Sequence, residues 1–136
     1  MSDSGLPGEL RRAAPRPVYL NLFRIRQPIP AIVSILHRLS GAILFLIGIP
    51  LLLYAVQQSL ASSDSYASLQ ATLGRPIVKL LLLGLVWAYL HHFCAGIRYL
   101  LLDMHIGTEL KPARQSSFAV LIVSLVLTAI IGARLW

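Results

Sequence analysis

The chain has little of what keeps a domain soluble. Charged side chains make up 12% of its 136 residues, and only five residues are acidic. Cysteine occurs once, at Cys94, which excludes an intrachain disulfide and any metal site made of cysteines alone. A lone thiol in an apolar stretch behaves as a small hydrophobe. The first twenty residues hold no continuous apolar run, and they include Asp3, Glu9 and three prolines. They therefore match neither a secretory signal nor an Arg-rich, acid-poor transit peptide, which favours a bacterial inner membrane over an organelle reached by import. No internal repeat or low-complexity tract stands out. What the chain does have is apolar surface: 57% hydrophobic residues and a mean hydropathy of +0.74 place it in the membrane class, with room for one domain. The net charge of +7 comes from basic residues flanking apolar runs, with no aromatic-interleaved stripe, so it reads as membrane topology rather than nucleic-acid binding.

Three apolar runs divide the chain. Residues 1–29 are a polar, Pro- and Arg-containing lead, and Pro28 and Pro30 signal a helix start. Residues 30–57 form the first expected span, with Pro50 expected to kink it. Residues 58–75 are small and polar and read as an exposed loop, with room for a short interfacial helix around Tyr66. Residues 76–103 form the second span, with Lys79 snorkelling at its start. Residues 104–115 form a short charged connection, and 116–136 the third span, anchored by Arg134 and Trp136. The expected fold is an all-α, multi-pass membrane protein with three transmembrane helices.

Basic residues set the orientation. Arg11, Arg12, Arg16, Arg24, Arg26 and Arg38 lie on the N-terminal side, and Arg98, Lys111 and Arg114 flank the second connection. Arg75, Lys79 and Arg134 lie on the opposite side. The imbalance places the N-terminus and the 104–115 connection in the cytoplasm.

Ionisable groups then fall in the cytoplasmic half of the membrane, where they are costly unless paired or bound. In the second span Gly84, Ala88, His92 and Gly96 recur every four residues and share a face, leaving His92 in a groove where a flat ligand such as a haem fits. In the first span Ser34, His37, Arg38, Gly41 and Phe45 share a face. His37 lies about 10 Å along its helix and His92 about 16 Å from the end of its own, at overlapping depths. Two readings of His92 stand side by side: a ligand, or a packing histidine bonded to a neighbouring carbonyl. His91 points about 100° away and reads as structural. Arg98 either meets an anionic ligand or snorkels to phosphates. Asp103 and Glu109 read equally as solvated charges. Gly84 and Ala88 also suit plain helix packing.

The stretch S-I-L-H-R-L-S-G (Ser34 to Gly41), followed by H-x-x-x-G-I-R (His92 to Arg98) and L-L-L-D (Leu100 to Asp103), resembles the cytochrome b556 subunits of bacterial succinate dehydrogenase. The resemblance runs from about Arg16 to the C-terminus. It implies a membrane anchor that packs with a second anchor subunit into a haem-binding helical bundle. His92 would be an axial ligand of haem b, with the other axial histidine in the second anchor. His37, Arg38 and Arg98 would lie by the haem propionates, and Ser34 and Arg38 would line a ubiquinone site. Asp103 and Glu109 would help deliver protons. FAD and iron–sulfur clusters would belong to the flavoprotein and iron–sulfur partner subunits, with ubiquinone the substrate and no complete catalytic site in this chain. Some relatives carry histidine after G-I-R, where this chain has Tyr99. The rival readings are a purely structural anchor and a single-chain cytochrome ligated by both His37 and His92.

Overall fold

The computed structural model describes residues 25–135; Arg11, Arg12, Arg16, Arg24 and Trp136 lie outside the described residues. The described chain is helical in four segments: α1, Ile29–Ala61; α2, Ser63–Leu73; α3, Pro76–Asp103; and α4, Leu110–Leu135. Of these, α1, α3 and α4, with 33, 28 and 26 residues, are long and apolar enough to cross a bilayer. The protein is an all-α membrane protein.

Prolines open the helices. Pro30 lies in the first turn of α1 and Pro76 in that of α3, positions where the missing N–H costs no intrahelical bond. Pro50 is different, because it falls inside α1. There the helix widens into a π turn, Leu44–Gly48, and the Ile49 N–H bonds to the Leu44 carbonyl five residues back. A proline ring crowds the carbonyl four residues before it. The wider turn just ahead of Pro50 is a recognised way to accommodate such a break without ending the helix.

Two connections are shorter than the pattern of polar residues suggests. The small polar stretch 58–75 is largely helical: α1 continues to Ala61, and α2 begins after one extended residue, Ser62. Ser62 Oγ accepts the Ser65 N–H at 3.1 Å, and Asp64 in the first turn complements the helix dipole. Likewise α4 starts at Leu110, so Lys111, Pro112 and Arg114 lie in its opening turns instead of a loop. Lysine and arginine are good helix formers with long stems, and Pro112 sits where a first-turn proline is tolerated.

The interior runs against the usual soluble pattern. α3 packs against both α1 and α4. Its buried residues are Ala88, His91, Ala95 and Arg98; those of α4 are Ser117, Val120, Ser124, Thr128 and Gly132. Large apolar side chains such as Phe45, Leu53, Leu60 and Leu81 face outward. The buried hydroxyls satisfy themselves within α4: Ser117 to the Ala113 carbonyl at 2.7 Å, Ser124 to Leu121 at 3.0 Å, and Thr128 to Ser124 at 2.7 Å. α3 and α4 approach closely at Gly132, where a Cβ would stand 3.2 Å from Leu83 Cδ1. Lys79 Nζ donates to the Leu135 carbonyl at 2.8 Å, which ties the start of α3 to the end of α4.

The α3 C-terminus closes with a Schellman pair. Ile106 N–H bonds to the Leu101 carbonyl and His105 N–H to Leu102, each at 2.9 Å. This geometry holds His105 at φ 62°, a position that glycine usually fills. A left-handed L-residue costs about 1–2 kcal/mol. His105→Gly should therefore stabilise the protein by about 1 kcal/mol and raise its thermal midpoint in detergent. An unchanged or lower midpoint would show that the imidazole makes compensating contacts.

Candidate functional site

The polar cluster lies where α1 crosses α3. On α1 the close-approach point is Gly41. A Cβ there would stand 2.7 Å from His92 Cε1 and 3.2 Å from Nδ1, so only glycine lets the His92 ring reach this depth. Once there, His92 Nδ1 lies 3.0 Å from the His37 carbonyl and 3.3 Å from Ser40 Oγ. A carbonyl only accepts, so Nδ1 carries the proton and donates to it. Ser40 Oγ donates to the same carbonyl at 3.0 Å and can share the Nδ1 proton as acceptor. The His92 tautomer is thereby fixed with Nε2 as the basic nitrogen. Nε2 has no hydrogen-bond partner among the described residues, and it is not among the enclosed atoms.

The two histidines meet as the sequence places them in depth, but side by side. Their rings stack with centroids 4.2 Å apart and planes within 5°. Two axial ligands of one iron must stand on opposite sides of a macrocycle, and rings face to face at this separation leave no room for one between them. This arrangement does not suit a single-chain, two-histidine cytochrome. Tyr99 packs against His37 at 5.1 Å, and its hydroxyl is enclosed without a partner among the described residues. Gly96 faces His37, since a Cβ there would lie 3.8 Å from Nε2.

Other candidates lie elsewhere. The face Gly84, Ala88, His92, Gly96 is not one open groove: Gly84 is exposed, Ala88 is buried and His92 packs on α1. The inward seam is rotated from it, because His91 and Arg98 point between the helices. Arg98 turns to α4, with Nε donating to Ser116 Oγ at 3.0 Å and one terminal nitrogen to the Ala113 carbonyl at 3.4 Å. Its Cζ also lies 5.4 Å from the centre of the Tyr99 ring, which packs against His37, so Arg98 borders the His37–His92 cluster while its hydrogen bonds run to α4. Ser34 is half-buried and Arg38 exposed, one turn apart on α1. Asp103 and Glu109 are exposed around the α3–α4 connection.

One participant, Ser40, is absent from the reading of single residues, and His91, read there as structural, is a buried residue of the helix seam. Ser40 lies within the S-I-L-H-R-L-S-G stretch, three residues after His37, a spacing that returns it to the same helix face. His91 is wholly buried and stacks on Trp87 at 5.4 Å; neither of its nitrogens nor Trp87 Nε1 has a hydrogen-bond partner among the described residues. Its signal was the 3–4–3 spacing of Ala88, His91, Ala95 and Arg98, the rhythm of a packed helix seam.

Fold and site together define a multi-pass helical membrane protein with a histidine held, tautomer fixed, between its first two spans. The chain belongs to the succinate dehydrogenase/fumarate reductase transmembrane subunit family, whose profile matches residues 12–131. It is 36% identical to the succinate dehydrogenase cytochrome b556 subunit of Coxiella burnetii, over 90% of this chain and 98% of that one. The subunits of the same name from Paracoccus denitrificans and Rickettsia prowazekii are 31% and 27% identical. These alignments cover 85% of this chain in both cases, and 88% and 90% of the relatives.

The tight fit at Gly41 can be tested directly. Gly41→Ala forces the His92 ring or α1 to move, and overpacking of this kind costs about 1–3 kcal/mol. The thermal midpoint of the detergent-extracted protein should fall. A midpoint equal to wild type would mean that the ring is free to swing away.

Proposed function

We propose that this chain is the membrane-anchor cytochrome b subunit of a succinate dehydrogenase in a bacterial inner membrane. In this reading it holds haem b together with a second anchor subunit and lines the site where ubiquinone is reduced. The N-terminus and the α3–α4 connection face the cytoplasm, where flavoprotein and iron–sulfur subunits carry FAD and the clusters. The observation that carries the reading is the state of His92. Its Nδ1 proton is committed to a backbone carbonyl, and its basic Nε2 is partner-free and accessible. A histidine that ligates a metal commonly donates its other ring N–H to a carbonyl or carboxylate, which orients the ring and raises its basicity.

The residues present fit a haem, which His92 would hold through Nε2 together with a ligand from the second anchor subunit. When bound, the haem would supply one-electron storage. His37 and Arg38 are the propionate candidates; His37 stands against the His92 ring, and Arg38 follows it on α1. Arg98, the third propionate candidate, stands apart from them: Nε and one terminal nitrogen donate to Ser116 and Ala113 on α4, and the other terminal nitrogen has no partner among the described residues.

Reducing a quinone takes two electrons and two protons, so its site must reach both the electron donor and cytoplasmic water. Ser34 and Arg38 lie in the second and third turns of α1, shallower than Ser40 and Gly41. A hydroxyl and a guanidinium there donate hydrogen bonds to the quinone oxygens as negative charge develops on them. Asp103 and Glu109, exposed nearby in the cytoplasmic connection, would relay protons from water.

Two variants test this. Arg38→Ala should lower succinate:ubiquinone reductase activity about 10²-fold while leaving succinate oxidation by a soluble dye acceptor near wild type. Equal losses in both assays would place Arg38 outside the quinone site. His92→Tyr should abolish or shift the b-type band in the reduced-minus-oxidised spectrum of the purified complex. An unaltered band would leave the purely structural anchor as the better reading of this helix.

A further inference from the structure

We propose that a cavity between the adjoining ends of α3 and α4 binds the phosphate of an anionic phospholipid, held by Arg98. The cavity has a volume of about 300 Å³, and Ile97, Leu101, Ile106 and Ala119 contribute apolar wall. Arg98 and Ser116 contribute its polar side. The arginine is only 6% exposed. Its Nε and one terminal nitrogen donate to neutral acceptors, Ser116 Oγ at 3.0 Å and the Ala113 carbonyl at 3.4 Å. The other terminal nitrogen has no partner among the described residues and is not enclosed. No carboxylate among the described residues pairs with this guanidinium; Asp103 and Glu109, the nearest in sequence, are exposed.

A guanidinium does not shed its proton in a protein, so burial leaves a full positive charge. Neutral acceptors compensate a buried charge only in part, and an anion is needed to complete the balance. The planar fork of arginine matches phosphate oxygens. Depth selects the source of that phosphate. Arg98 lies five residues inside the end of α3, about 8 Å, and Ser116 six residues inside the start of α4, about 9 Å, near the boundary between headgroups and hydrocarbon. Exposed Lys111 and Arg114 on the opening turns of α4 add positive potential at the same rim. The apolar wall suits the first methylenes of an acyl chain and offers nothing to a free ion. Arg98 is hydrogen-bonded to α4 whereas His92 is bonded to α1, and it meets the His37–His92 cluster only through the Tyr99 ring, so lipid retention is read separately from the haem spectrum.

The test is native mass spectrometry of the intact complex after exchange into phosphatidylglycerol or phosphatidylcholine. Wild type should retain phosphatidylglycerol through delipidation that strips phosphatidylcholine, and inorganic phosphate should not displace it. Arg98→Gln should lower that retention roughly tenfold. Ala119→Phe, which fills the cavity and leaves both arginine hydrogen bonds intact, should lower it as well, and it decides the matter if the arginine variant fails to assemble. Equal phosphatidylglycerol retention by wild type and Ala119→Phe would overturn the proposal. So would displacement of the lipid by inorganic phosphate, which would mark a general anion site.

Discussion

A side chain that leaves lipid for a helix interface gains almost no hydrophobic free energy, because the lipid tails are as apolar as leucine. That constraint shapes every contact in this chain. What remains to hold helices together is close packing and hydrogen bonding, and both favour small or polar residues inside. Most of the buried residues follow from it, Ser40, Ala88, His91, Ala95, Arg98, Ser117, Ser124, Thr128 and Gly132, with Val33 and Val120 the larger apolar exceptions. So does the outward display of leucine and isoleucine, which would signal a defect in a soluble protein and here is surface for lipid or other subunits.

The same constraint explains which parts of the structure were legible in the sequence. Helix count and type follow from long apolar runs, and proline at positions 30 and 76 marks where two of them begin. Connections were harder to read. The short helix around Tyr66 was legible and stands as Ser63–Leu73, capped by Ser62 with an early aspartate. Leu110 to Arg114, by contrast, read as loop, although lysine and arginine with long stems suit an opening helical turn. The closeness of His37 and His92 was legible from depth alone. Which way their rings faced was not, because depth is set by rise per residue whereas facing depends on the rotation of α3 about its own axis. Counting fours from Gly84 fixed a face without saying what packs on it. The burial of Ala88, Ala95 and Arg98 shows that the seam follows His91.

Adjacent histidines on one helix are thus divided between two tasks by a rotation of about 100°. His92 faces α1, where Gly41 removes the one side chain that would block it and the His37 carbonyl orients the ring. His91 faces the helix interior. The pairings Arg98–Ser116, Leu83–Gly132 and Lys79–Leu135 set an antiparallel register that places His91 level with Ser124. Ser124 gives its proton to Leu121, and neither His91 nitrogen has a hydrogen-bond partner among the described residues. Buried imidazoles in this position are ordinarily satisfied by an internal water, and Trp87 Nε1 supplies a further polar atom for one.

Strain and specificity meet at the two ends of α3 in different ways. At its start, Lys79 spans to the Leu135 carbonyl, so a charge compensates the end of another helix dipole. At its finish, the Schellman closure demands a left-handed residue, and the chain places His105 there although Gly107 stands two positions later at φ 75°. Moving the glycine to the closure would relieve His105 but would put a side chain into the second positive-φ position, where a Cβ also lies 3.8 Å from Pro112. A six-residue connection that must reverse direction between two membrane spans therefore contains two left-handed residues, and glycine relieves one of them. The remaining cost falls on the exposed side of the bundle, away from the Gly41–His92 contact, where a comparable misfit would displace the one ring on which the proposed site depends.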